Sequence, residues 1–429
     1  AFFDVLFGGP TLLAGAEGAY GLAPGSFFSA DSFVKSNFEQ DNDAYSLFAN
    51  FDYNISDKLT ATFGLSYTKD EKEIIISQDH TEVLSSIDII NDPTVIGLPL
   101  PALGVLADNP VPQLAALAGL AAPQAIGGLQ SVQFLPPLLA LPNSVESNET
   151  DDIDTTWLAL LAYEGNDNVN IFASASNGFK ASSWDLSRDT NPFASSQDAI
   201  ENAGIAEPNQ RYGGRFASPE ESKVYELGIK TRFEKGALNV TIFDQTIKGF
   251  QSSIFVGTGF VLANAGQQST KGIEFDSKYD ITENITFTLA GTFLDPIYDS
   301  FEGASGLNGP IDLSGEKPAG IHETSITAGI IYGYQLDNGA IGYARADYLY
   351  ESDVELVANV PDTLRRQVNT LNASAGLEFD NGLSLQIWAR NLTNDEYYLS
   401  AFPKPIQGGS FNAYPNQPRT FGASVAYEF

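Results

Sequence analysis

The last twelve residues of the chain, Pro418-Arg419-Thr420-Phe421-Gly422-Ala423-Ser424-Val425-Ala426-Tyr427-Glu428-Phe429, alternate between two kinds of side chain. Apolar residues, among them Phe421, Val425, Tyr427 and Phe429, fall on one face, and small or polar residues fall on the other. A period of two predicts an extended strand. A strand of about ten residues with one apolar face is typical of membrane-spanning β-strands, although a soluble sandwich can show the same alternation.

The same two-residue alternation recurs upstream in pairs of segments. Short turns rich in Asn, Asp and Gly join the two members of each pair and predict β-hairpins. The connections between these pairs are much longer, above all 70–150 and 177–217. Short turns at one rim and long loops at the other predict an all-β transmembrane antiparallel up-and-down β-barrel, with short periplasmic turns and long extracellular loops. The predicted pairs are 44–55 with 59–67, 155–163 with 169–176, 224–233 with 238–250, 271–279 with 285–293, 324–336 with 340–350, and 368–379 with 383–392, and one further strand is expected at 33–38.

The composition of the chain excludes several partners and chemistries. The chain has 429 residues and a net charge of −32, which argues against nucleic acid as a partner because phosphate binding needs clustered Lys and Arg. It has no cysteine, which excludes thiolate chemistry, and no methionine, so we expect a mature or truncated polypeptide. The Ala/Leu/Pro-rich insert 93–142 is interrupted too often by proline to form a spanning helix, and we expect short helices there that pack on a neighbouring loop.

An ordered set of segments resembles TonB-dependent outer-membrane receptors. The resemblance covers about 43–429 and implies a 22-stranded barrel with an N-terminal plug, so the 13 or 14 strands counted here would be part of a larger wall. We find no plug-like region, and we therefore divide the chain into an irregular start with a possible first strand, 1–42, and the receptor barrel, 43–429. The segments are IFASASNGFK at 171–180, PEESKVYELGIK at 219–230, NAG at 264–266 followed by KGIE at 271–274, ARNLTNDEYY at 389–398, and PRTFG and YEF in the closing strand.

An open sheet in lipid would leave two unpaired edges, and each unsatisfied backbone group there costs several kcal/mol. We therefore expect either more chain, namely a plug domain and N-terminal barrel strands outside this stretch, or a smaller closed barrel. The resemblance further implies that Phe421, Val425, Tyr427 and Phe429 are the C-terminal insertion signal for the barrel assembly machinery.

Two groups of residues are candidates for function. In the loop 177–217, cationic and aromatic side chains could hold an anionic chelate or stack on a flat ligand, or they could simply keep the loop soluble and contact anionic surface lipid. On the strands, charged and polar side chains that alternate with apolar ones are expected to face the lumen, as a polar conduit or a plug contact. The loop candidates are Lys180, Trp184, Arg188, Arg211, Tyr212 and Arg215, and the lumen candidates are Arg345, Asp347, Trp388 and Arg390.

Metal binding and catalysis have little support. The acidic runs 41–43 and 151–154 lack the pattern of a twelve-residue calcium loop and are interpreted as solvated turns. His80 and His322 are the only histidines, and neither belongs to a nucleophile-elbow or paired-carboxylate pattern. We therefore expect no metal site, no cofactor and no enzymatic activity.

The resemblance implies active transport across the outer membrane of a Gram-negative bacterium. The expected cargo is a scarce nutrient, with a ferric siderophore as the default and glycans or cobalamin as alternatives. The implied partners are outer-membrane lipid and lipopolysaccharide, a TonB-type energising complex and the barrel assembly machinery. The rival hypothesis is a passive porin or a structural, adhesive barrel.

Overall fold

One large antiparallel sheet dominates the molecule. The computed structural model describes residues 14, 17–18, 20–27, 29–88, 133, 137–187, 189–255, 260–306, 309–357, 362–403 and 410–429. Thirteen long strands pair in chain order, so each is hydrogen-bonded to the strand before and after it. They are β1 (Val34–Ser56), β2 (Leu59–His80), β3 (Glu149–Asn166), β4 (Val169–Lys180), β5 (Glu220–Phe233), β6 (Gly236–Lys248), β7 (Gln267–Thr282), β8 (Ile285–Ser300), β9 (Thr324–Gln335), β10 (Ile341–Glu355), β11 (Arg365–Glu378), β12 (Leu383–Arg390) and β13 (Thr420–Tyr427).

All six predicted hairpins form, with short turns at one end of the sheet. Smaller elements lie between them: two-stranded pairs at Ser183–Trp184 with Phe216–Ala217, Gln251–Phe255 with Phe260–Asn264, Ala304–Gly306 with Gly309–Ile311, and Tyr398–Pro403 with Phe411–Pro415, and a short helix at Gln197–Asn202. Within the described residues no helix is both long and apolar enough to cross a membrane.

The first hairpin corrects the sequence prediction. β1 runs unbroken across the predicted segments 33–38 and 44–55, so the expected extra strand is the beginning of β1. β2 continues through the charged run 69–73, although the sequence predicts a connection from residue 70, and the long connection therefore starts after His80. The charged run is compatible with a strand because its side chains pair across it, as Lys69 does with Asp151 at 3.3 Å. At about 3.3 Å per residue both strands are far longer than a tilted membrane crossing requires.

The register places apolar side chains on one face across the whole sheet. One row crosses eight strands as Tyr53, Ala61, Leu161, Ala173, Leu227, Ile242, Ile273 and Phe293. Leu385 lies between Leu377 and Val425 in a second row near the end of the chain. Many of these side chains are exposed in the protein alone, for example Ile242 and Val425. An apolar face that is not covered by protein is the face expected to contact lipid.

The opposite face is polar and holds aromatic rings over glycines of the neighbouring strand. A Cβ added to Gly228 would lie 2.3 Å from the ring of Phe172, and one on Gly422 would lie 2.5 Å from the ring of Trp388. Phe243 over Gly272 and Tyr343 over Gly376 repeat the arrangement. A ring that covers the bare backbone of a cross-strand glycine fixes the register of that strand pair.

Gly376→Val is expected to lower the free energy of unfolding by about 1–3 kcal/mol, because its Cβ would lie 2.6 Å from the Tyr343 ring and force it away. Gly333 faces Tyr343 from the other side, yet a Cβ there meets nothing within 4 Å. Gly333→Val is therefore the matched control. Urea unfolding in lipid vesicles measures both, and equal midpoints for the two variants would contradict the proposed role of the ring.

At the two edges, β1 pairs with β2 and β13 pairs with β12, and in the part of the chain that the structure describes neither edge strand has a second partner. The described sheet is therefore open.

Candidate functional site

A layer of connections packs over the outer ends of β2–β6, at the end of the sheet opposite to the short turns. We call residues 137–148, 181–187, 189–219, 249–255 and 260–266 the outer-loop layer. Its core is apolar: Leu138, Leu141 and Trp184 pack with Ile74 and Ile76 of β2. Residues 137–141, at the end of the Ala/Leu/Pro-rich insert, are not helical, and Leu141 exchanges two backbone hydrogen bonds with Ile76. Most of the insert lies outside the described residues.

Two amide side chains join the segments of this layer. Gln251 accepts a hydrogen bond from the Ser183 hydroxyl (2.6 Å) and donates to the backbone carbonyls of Ala181 (2.9 Å) and Ser218 (3.0 Å). Asn264 accepts from the Ser218 amide (2.6 Å) and donates to the carbonyls of Ser218 and Gly249. Asn264 belongs to the NAG segment of the family resemblance, and its role here is to join two outer loops.

Trp184, predicted to contact a ligand, lies inside this layer. Its side chain is buried, its indole N–H donates to the Thr150 hydroxyl (3.1 Å), and its ring packs against Phe216 at 4.8 Å between centroids. A tryptophan placed in this way stabilises the loops by packing, and its ring is not presented to solvent.

Arg215 is also buried, with no exposed surface. Its guanidinium donates two hydrogen bonds to the carboxylate of Glu146 (2.8 and 3.1 Å) and one to the Leu139 carbonyl (2.8 Å). The charge is therefore matched within the layer, and the structure gives Arg215 the role of joining residues 139–146 to the segment after the helix.

The remaining loop candidates lie nearer to the surface. Lys180 is exposed and pairs with Glu220 at 3.3 Å, and Arg211 is half-buried. The Tyr212 hydroxyl is buried and makes no hydrogen bond within the described residues. Burial raises the pKa of Tyr212, and the negative charges of Glu201 and Glu146 raise it further. Arg188 lies outside the described residues.

The predicted lumen residues share the polar face of the sheet. Arg345 and Asp347, both on β10, form a two-point ion pair at 2.7 and 2.9 Å. On β12 the Arg390 guanidinium lies 5.5 Å from the centre of the Trp388 ring. Lys230 and Phe172 form the same kind of pair on β5 and β4, at 5.4 Å. This face therefore presents water-compatible groups along strands whose other face is apolar, as a barrel lumen requires.

Two carboxylates on this face were not singled out from the sequence. Glu226 accepts a hydrogen bond from the Ser174 hydroxyl (2.8 Å), and Glu274 lines a recess of about 370 Å³ together with Asp276 and Asn239. Neither Glu226 nor Glu274 forms a salt bridge within the described part of the chain. The alternation of polar and apolar residues could have identified both glutamates, because each lies between two apolar residues in a segment that resembles the receptor family.

The acidic runs proposed as solvated turns lie within strands instead. Asp41 and Asp43 belong to β1, residues 151–154 belong to β3, and Asp43 and Asp151 both face Glu71 of β2. Across the described ranges no three His, Asp or Glu side chains are placed to hold a metal ion. His80 contacts the Ser86 hydroxyl through Nε2 (2.7 Å).

The fold, and a sheet with one apolar and one polar face, define a transmembrane β-barrel protein, and comparison with known families agrees. The model of the TonB dependent receptor-like β-barrel family matches residues 3–392, so the chain belongs to this family. Proteins of this family are β-barrels of the Gram-negative outer membrane, and that is where this chain is located. The family consists of receptors and transporters. Among curated proteins, none matches the chain.

Solved structures show the same fold. The ferric yersiniabactin uptake receptor FyuA from Yersinia pestis superposes with a TM-score of 0.62 at 13% identity, over 92% of this chain and 47% of that one. The siderophore receptor PiuA from Acinetobacter baumannii gives 0.56 at 16% identity, over 91% and 44%. The copper transporter OprC gives 0.57 at 10% identity, over 91% and 48%. The chain thus spans about half the length of these structures, and at such identities the likeness concerns the fold alone.

Proposed function

We propose that this chain forms part of an energised outer-membrane transporter that takes up a scarce nutrient, with a ferric siderophore complex as the first candidate. The observation that supports this most directly is the family match over residues 3–392. One of the similar structures is described as a ferric yersiniabactin uptake receptor, another as a siderophore receptor and a third as a copper transporter, and these descriptions support a ferric siderophore complex as the first candidate. Lys180, at the outer end of β4, and the half-buried Arg211 and Tyr212 of the outer-loop layer remain the candidates for contacting that cargo.

We infer that further polypeptide completes the wall and fills it. The open edges of β1 and β13 support this, because unpaired strand edges are not stable within a bilayer. The half-length match to the similar structures supports it as well. In this proposal the additional polypeptide supplies the missing strands and a plug, and a TonB-type complex drives the plug.

Uptake of radiolabelled iron by cells tests the proposal. Cells that lack their own siderophore receptors would express the complete protein and be given a panel of ferric siderophores, with and without a protonophore. Uptake that depends on the protein and stops with the protonophore supports active transport. Uptake that continues without the proton gradient, together with a steady open-pore conductance in planar bilayers, would support a passive porin instead.

Glu226 and Glu274 are proposed to contact the plug, because each places on the polar face a carboxylate that has no salt-bridge partner among the described residues. Replacing both with glutamine is expected to weaken that contact by about 1–2 kcal/mol, since the wall is hydrated. The measurement is the ion conductance of the complete protein in planar bilayers, which should rise. Glu283→Gln, in the short turn between β7 and β8, is the control and should leave it unchanged; an equal rise in both variants would refute the contact.

A further inference from the structure

A cluster of polar side chains lies at the outer ends of β9–β11, away from the outer-loop layer. His322, just before β9, lies 3.3 Å from the carboxylate of Glu351 on β10, measured from Nε2 to Oε2. Arg366 on β11 donates a hydrogen bond to the same oxygen (2.6 Å). The His322 side chain is 10% exposed and that of Glu351 19%, so both are largely withdrawn from water.

The contacts of the imidazole define which nitrogen carries a proton in the neutral form. Nδ1 lies against the backbone carbonyl oxygen of Ser352. A carbonyl can only accept, so Nδ1 must be the protonated nitrogen. Nε2 makes no hydrogen bond within the described residues, and in the neutral ring it turns a lone pair toward the Glu351 carboxylate. A second proton on Nε2 replaces that repulsion with an attraction between opposite charges.

The charged neighbours of this cluster are few. Arg366 faces Glu351 from β11, and on the segment before β9 Glu323 is paired with Lys317 at 2.6 Å. Arg365 on β11 is held by Asp353 and Glu355 of β10. Lys317 and Arg365 are thus paired with other carboxylates, and among the described residues the charged or titratable partners of Glu351 are Arg366 and His322.

The cluster also contacts the loop between β12 and β13. The Arg366 guanidinium lies 5.6 Å from the centre of the Tyr397 ring. Tyr397 is fixed because its amide donates to the Asn416 side chain (3.0 Å), while its carbonyl accepts from the Asn416 amide (2.9 Å). His322, Glu351 and Arg366 therefore connect the segment between β8 and β9 to the loop between β12 and β13, across three strands.

We propose that protonation of His322 controls a contact that holds these two outer loops together. With both ring nitrogens protonated, His322 and Arg366 hold Glu351 from two sides and the loops are joined. As the pH rises and Nε2 loses its proton, the contact with Glu351 becomes repulsive and the segment before β9 is released. The contact is thus stronger in acid and weaker in base, because only the doubly protonated ring attracts the Glu351 carboxylate.

Hydrogen–deuterium exchange of the complete protein in detergent micelles tests the proposal, at about pH 5.5 and about pH 8 with rates corrected for intrinsic exchange. The amides of residues 316–323 are expected to exchange roughly three- to tenfold more slowly at the lower pH, as suits one partly buried ion pair. His322→Gln should remove this difference. His80→Gln is the matched control, because His80 is the only other histidine and lies on β2, and it should leave the difference unchanged.

Glu351→Gln is the second variant, because it keeps an oxygen for Arg366 while removing the charge that His322 faces. It too should abolish the pH dependence at residues 316–323 while exchange in β10 stays slow. An undiminished pH dependence in either variant overturns the proposal, as does exchange in the unaltered protein that is the same at both pH values. These readouts do not involve cargo, so they stand or fall independently of the transport proposal.

Discussion

Replacing Arg215 with methionine is expected to lower the free energy of unfolding of the outer-loop layer by about 3–5 kcal/mol, the usual result of removing one partner of a buried ion pair. Arg215 has no exposed surface, and the Glu146 side chain is 4% exposed. The variant would leave the Glu146 carboxylate without its cation and the Leu139 carbonyl without its donor. The measurement is hydrogen–deuterium exchange of residues 139–146 and 183–217 in the folded protein, which should become much faster.

Two further variants separate the buried charge from the loss of a side chain. Arg215→Met combined with Glu146→Leu removes both charges and should recover much of the loss, because no unpaired ion remains in the interior. Lys180→Met breaks an ion pair whose lysine is 55% exposed, and it should change stability by less than about 1 kcal/mol. If the Arg215 and Lys180 variants were equally stable, Arg215 would not be holding the layer together, and a role for it in cargo contact would regain support.

The sheet could be predicted from the sequence because its signals are local. A two-residue period and short turns rich in Asn, Asp and Gly are visible within about twenty residues, and all six hairpins predicted in this way are present. The pairing Leu385–Val425 and the common face of Arg345 and Asp347 follow from the same alternation. The sequence prediction omits residues 39–43 of β1 and the outer half of β2, because charged residues there resemble a loop until the cross-strand partner of Lys69 is known.

The positions of the loop residues could not be predicted, because their partners are distant in sequence. Arg215 pairs with a glutamate 69 residues earlier, and Trp184 bonds to a threonine 34 residues earlier. In so acidic a chain, isolated cations and an aromatic residue in a long loop suggest an exposed ligand site. The structure instead buries Trp184 and Arg215 beneath the surface, while Lys180, Arg211 and Tyr212 lie nearer to it.

Changing Ile387 to arginine is expected to lower the stability of the membrane-embedded protein by about 2–4 kcal/mol, the cost of a cation on the lipid face near mid-membrane. Ile387 is 65% exposed and lies between Ala375 and Ala423 on the apolar face of β12. Its neighbour Gln386 lies on the polar face, between Gly376 and Ser424, so Gln386→Arg places the same charge among polar groups.

Urea-dependent folding of the complete protein into lipid vesicles compares Ile387→Arg with Gln386→Arg. The Gln386 variant should stay close to the unaltered protein, because the polar face already carries Arg345 and Arg390. The two substitutions are adjacent in sequence and equal in charge, so a difference between them measures only which face of β12 meets hydrocarbon. If Gln386→Arg proved the more damaging of the two, the faces would be reversed, and both the lipid-facing rows and the lumen contacts proposed for Glu226 and Glu274 would have to be abandoned.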